Sequence, residues 1–145
     1  MSNDWTREYY DGPFHLPLGG SSAVPLVSLV FVQSKDGNTE IDNPEELGGG
    51  PLDKHLIYEG LSRAGADAVL AGAKTAGGEH TFFSVWHPEL VALRRELGLA
   101  RHPAQIVLTG TGCIDVDTSR VFNVPEVSVY VMAGPVGCRA LEQAI

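Results

Sequence analysis

The chain has 145 residues, 43% hydrophobic and 19% charged, an ordinary globular composition that excludes a disordered or low-complexity chain and fits one domain. Its formal net charge of -8 leaves no basic excess to displace counterions, so neither nucleic acid nor a membrane surface is the expected partner. No apolar run reaches spanning length, Met1–Tyr10 shows no leader pattern, and Cys113 and Cys138 stand far apart without a CxxC spacing. A cytoplasmic protein with reduced thiols and no metal or disulfide framework is therefore expected.

Residues 1–23 show no sustained period and contain Asp11-Gly12-Pro13 and Gly19-Gly20-Ser21-Ser22, which is loop chemistry. With Trp5, Tyr9, Tyr10 and Phe14 they read as an N-terminal arm lying on the body or on a partner subunit. Residues 24–145 form the domain. Val24–Val32 is almost unbroken apolar sequence, which predicts a strand buried on both faces of a parallel sheet. It ends in the polar turn Ser34-Lys35-Asp36-Gly37. A loop rich in Gly, Asp and Asn leads to Pro51, a residue suited to the first turn of a helix.

Leu52, Leu56, Ile57 and Leu61 share one side of a helix predicted over Leu52–Ala64, with Gly65 as its stop. Asp67–Ala71 is the next strand, completing a right-handed strand–helix–strand crossover, and it runs into Gly72-Ala73-Lys74-Thr75. Glu79, His80 and His87 lack a zinc-ligand spacing. His87-Pro88-Glu89-Leu90 opens a second helix with Leu90, Leu93 and Leu97 inward and Gly98 at its end. Arg94 and Arg95 are expected on its outer face, paired with Glu89 and Glu96. Gln105–Thr109 and Val127–Met132 read as strands, and a last helix from about Gly137 sets Leu141 and Ile145 one turn apart.

The alternation predicts an α/β domain, a mostly parallel sheet of four strands flanked by helices in three layers. An open sheet edge needs covering. The chain's end inside an apolar-faced helix then suggests a homodimer, or a domain incomplete at its C-terminus.

A strand that ends in Gly-x-x-Thr places backbone N–H groups and a hydroxyl together, and Lys74 adds an ammonium. That combination suits a phosphate. The plainer reading is a strand-to-loop turn with a local Thr cap, just as Asp36-Gly37 can be an ordinary turn at a strand end. Ser34 has no neighbouring base in a nucleophile-elbow context.

Three segments in order carry a family likeness: Ser34-Lys35-Asp36-Gly37, then Ala66–Thr75, then Pro103–Thr109. Together they resemble the reductase domain of riboflavin-biosynthesis deaminase-reductases, over roughly residues 24 to 133. The resemblance implies the dihydrofolate reductase-like fold and NADPH as cofactor. It also implies that Gly72, Ala73, Lys74 and Thr75 receive the cofactor phosphates, with Lys74 toward the 2′-phosphate. Thr109 would meet the adenosine ribose, and Asp36 would lie beside the nicotinamide and substrate.

The chain also departs from the family. Ala76–Phe83 lacks the Pro and Arg that hold the substrate's ribose phosphate, and an apolar residue near Val30 replaces a strand lysine. The later Glu-Gly-Gly turn has no match, although Met132–Gly137 is a similar strand–glycine–helix turn. The resulting expectation is an NADPH-dependent reductase acting on a small heterocyclic or ribosylamino molecule. The alternative is a non-catalytic or partial domain that assembles with another chain or binds a nucleotide without turnover.

Overall fold

The computed structural model describes residues 8, 19–21, 23–31, 33–39, 50–78 and 81–144. Most of the expected arm over 1–23, the loop residues 40–49, and Glu79 and His80 lie outside the described residues. The chain forms two compact units, one of Met1–Ala66 with Val85–Arg101, the other of Asp67–Ser84 with His102–Ile145.

The first unit is helical. A turn of α-helix, α1 (Pro51–Asp53), has Pro51 in its first turn, where a missing N–H costs nothing. It continues as a π-helix over Lys54–Ala64, whose buried positions pair up every four residues: His55 and Leu56, Glu59 and Gly60, Arg63 and Ala64. The i→i+5 hydrogen bonding of a π-helix makes residues five apart neighbours, and the Arg63 guanidinium accordingly sits 4.2 Å over the Tyr58 ring. Gly65 follows at a φ of -103°, a conformation open to any residue.

The helix Pro88–Glu96, labelled α2 here, also has proline in its first turn. It ends in a Schellman motif. The Leu99 N–H bonds the Arg94 carbonyl at 2.9 Å and the Gly98 N–H bonds the Arg95 carbonyl at 3.1 Å, with Gly98 at a φ of +71°. Leu56, Ala64, Val85, Leu90 and Leu93 make the core of this unit, with Ile57, Val91 and Leu97 packed against it. Burial of these side chains is the main source of its stability.

The second unit carries a parallel sheet of β1 (Ala68–Gly72), β2 (Ala104–Thr109) and β3 (Val129–Ala133), in that spatial order. Leu70 aligns with Ile106 and Tyr130, and Gly72 with Leu108 and Met132. One face packs Val107 with Ala76, from a short helical turn at Ala73–Ala76, and with Val121, from the 3-10 turn Arg120–Phe122. The buried Gln105 side chain joins the Phe83 backbone N–H and carbonyl and the Pro103 carbonyl at 2.8 to 3.2 Å. The opposite face leaves Leu70, Leu108, Tyr130 and Met132 about half exposed, since strand side chains alternate between faces. A final helix, Pro135–Ala144, follows β3.

Two expectations need correction. Residues 25–31 have no regular secondary structure, and Leu26, Val27, Leu29 and Phe31 are exposed. The apolar run supplies strand propensity, but a strand forms only where a neighbour accepts its backbone hydrogen bonds. Among the described residues the sheet has three strands, not four. Arg94 is not on an outer face: it is 1% exposed. Leu90, Leu93, Arg94 and Leu97 form the i, i+3, i+4, i+7 stripe of the helix, which puts Arg94 inward.

Candidate functional site

The C-terminal edge of the parallel sheet is where open α/β sheets meet their ligands. Gly72 ends β1, Gly110 follows β2 and Gly134 follows β3, so three glycines mark three adjacent strand ends. None of them has a positive φ. A methyl group built on any of them would meet nothing within 4 Å. Neither turn geometry nor packing requires glycine there, and the three positions are open to close approach from outside the fold.

Gly112 behaves differently. Its φ is +78° and a side chain there would run into the Gly137 carbonyl of the final helix. The Thr109 hydroxyl, buried beneath, accepts the Gly112 N–H at 3.0 Å. Backbone contact between the Gly110–Gly112 loop and the first turn of Pro135–Ala144 thus ties the ends of β2 and β3 together.

The structure brings Gly72, Ala73, Lys74, Thr75 and Thr109 to this one edge. Ala73–Ala76 is a helical turn pinned by buried Ala76, which leaves Lys74 and Thr75 exposed on its outer side. The Thr109 side-chain oxygen also holds the loop after β2, and its hydroxyl proton is left to donate.

Asp36 belongs to the first unit. It sits in a tight turn closed by Gly37 N–H to the Ser34 carbonyl at 2.9 Å, with Gly37 at a φ of +91°. The Ser34 hydroxyl donates to the Asp36 carboxylate at 2.5 Å, and that bond holds the carboxyl below the usual carboxylate range. An exposed, ionised Asp36 suits accepting or orienting a donor better than delivering a proton.

Sequence reasoning missed a second constellation, in the first unit. The buried Glu59 carboxylate accepts the Trp86 N–H at 2.6 Å and the His87 N–H at 2.8 Å, and meets His87 Nδ1 at 2.5 Å. His55 Nε2 lies 2.5 Å from Glu89. The two imidazoles stack with centroids 3.6 Å apart and planes 8° from parallel. Burial and the neighbouring His87 push the His55 imidazole below its ordinary value. Its signal in the sequence was His55 and Glu59 four residues apart on the helix, together with a helix entry that reads His87-Pro88-Glu89.

Arg94 completes this unit. Its guanidinium donates to the carbonyls of Arg63 at 2.7 Å, Ala64 at 3.3 Å and Ala66 at 2.8 Å, while its Nε donates to Ala100 at 2.6 Å. The last carbonyls of a helix have no partner within it, and Arg94 satisfies those of the π-helix. A hollow of about 390 Å³ nearby is lined by Val91, Arg95, Gly98, Leu99 and Arg101, none of which the sequence marked as a site residue.

Among the described residues no group of three or more His, Cys, Asp or Glu side chains is placed to hold a metal ion, and no helix is long and apolar enough to cross a membrane. The chain is thereby an α/β protein built on a small parallel sheet with helices. Comparison with family models, curated proteins and solved structures gave no match.

Proposed function

We propose that the protein is an NADPH-dependent reductase of the dihydrofolate reductase-like, riboflavin-pathway kind, reducing a C=N or C=C–N bond of a small heterocyclic or ribosylamino substrate. The observation that carries this reading is the row of glycines at Gly72, Gly110 and Gly134, open to solvent at adjacent strand ends. Backbone N–H groups at such an edge suit phosphate oxygens. The cofactor supplies the hydride, and the protein supplies binding, orientation and charge.

In this reading Gly72 and Ala73 admit a phosphate to the backbone, and the exposed Thr75 hydroxyl adds a hydrogen bond. Lys74 pairs with the 2′-phosphate that distinguishes NADPH from NADH. Thr109 shapes the neighbouring loop through Gly112. The resemblance alone gives Asp36 the role of orienting the substrate or relaying a proton. The substrate's identity is left at its chemical class, because Ala76–Phe83 departs from the family's phosphate-holding stretch.

Calorimetric titration tests this directly. NADPH is expected to bind the wild-type chain, and Lys74→Ala should weaken it by about tenfold while leaving NADH unchanged, the effect of one charge-assisted hydrogen bond. Equal loss for both nucleotides would remove Lys74 from the 2′-phosphate site.

One observation favours the other reading, a domain that assembles with another chain. The exposed sheet face of Leu70, Leu108, Tyr130 and Met132 is apolar and uncovered. Mass measurement in solution distinguishes a homodimer from a monomer, and nucleotide binding without substrate-dependent NADPH oxidation would favour the non-catalytic form.

A further inference from the structure

The stacked histidines of the first unit have no part in the proposed reductase site, yet they are built with unusual care. Two imidazoles 3.6 Å apart tolerate one positive charge between them far better than two. Each is held by its own carboxylate: His87 by Glu59 on the π-helix, and His55 by Glu89 on the facing helix. The two bonds run in opposite directions, so the elements clasp one another. Glu59 is fully buried and His55 is 2% exposed, while His87 is 29% exposed, so water screens the attraction and the repulsion only in part.

We propose that the His55–His87 stack is a proton-controlled latch. While at most one ring is protonated it holds the π-helix Lys54–Ala64 to the start of Pro88–Glu96. When both rings are protonated they repel, and the segment Trp86–Glu89 comes away from the π-helix.

Among the described residues, the charged and titratable groups around the stack are on these two elements. Glu59, Tyr58 and Arg63 come from the π-helix, and Glu89 from the helix entry. Glu59 and Glu89 favour a protonated His55, while His87 and burial oppose it, and the opposing influences prevail. The folded chain thus takes up a proton on His55 at lower pH than the unfolded chain does. Stability from this group is full above the unfolded imidazole's range and is lost as pH falls through it toward the folded value. Arg63 lies 6.0 Å from the Trp86 ring, which places an indole reporter at the moving segment.

The test is denaturant unfolding of the full chain from about pH 8 to about pH 5, read alongside amide exchange of Trp86–Glu89. Wild type is expected to lose on the order of tenfold in its folding equilibrium constant over that range. Exchange at Trp86 and His87 should rise by a similar factor beyond the chemical rate. His55→Gln should flatten both profiles. His87→Gln, which removes the second ring but not the burial of His55, should make both profiles shallower, and serves where His55→Gln does not fold. A flat wild-type profile, or variants that keep the wild-type slope, would overturn the latch.

Discussion

The two units use their polar groups in opposite ways. In the first, charged side chains are drawn inside and saturated: Arg94 bonds four carbonyls, and Glu59 gathers two backbone N–H groups and an imidazole. In the second, the chemistry is in the backbone, and it lies open at the ends of three strands. Satisfied buried polar groups fix a structure, because an orphaned one costs the full desolvation penalty. Unfilled backbone edges leave room for a partner. The contrast teaches that conspicuous ionisable side chains in this chain mark architecture, while its inconspicuous glycines mark the candidate site.

Substitutions can break this comparison. The largest effect is expected for Arg94→Ala, which strands the carbonyls of Arg63, Ala64, Ala66 and Ala100. A loss on the order of 3 kcal/mol in denaturant unfolding is expected, and a change within the range of surface substitutions would show that the buried guanidinium is not what secures the helix end. Gly112→Ala comes next. It meets both a φ of +78° and the Gly137 carbonyl, so a loss of about 2 kcal/mol is expected. If its unfolding midpoint matched wild type, the contact between the β2 loop and the last helix would be looser than described.

Much of the fold was legible in the sequence. Pro51 and Pro88 mark the helix starts of the first unit, Gly98 the end of its second helix, and the apolar runs near 68–72, 104–109 and 129–133 the three strands. Each of these signals is local. The run Val24–Val32 misled because apolar character states a preference for burial without naming a neighbour. Arg94 misled for a related reason: its charge suggested solvent, while its register with Leu90, Leu93 and Leu97 put it inside. The π-helical winding from Lys54 onward has no local signature. Of the candidate site, the Gly72–Thr75 turn was marked by its residue types, while Thr109 was marked only by the resemblance. The open space before Gly110 and Gly134 was not, since only the assembled sheet shows that three strand ends share one edge.

The smallest effect on stability and the largest on function are expected from the same change, Gly72→Val. Gly72 has an extended backbone, φ -68° and ψ 152°, and a Cβ there meets nothing within 4 Å, so stability should change by no more than about 0.5 kcal/mol. The branched side chain would nevertheless occupy the space claimed for a phosphate. The decisive measurement is a calorimetric titration of NADPH into wild type and Gly72→Val, with unfolding curves recorded on the same samples. The account predicts binding to wild type, a loss of at least about tenfold in the variant, and superimposable unfolding. Absence of NADPH binding to the folded wild-type chain, or equal affinity in the two proteins, would contradict it.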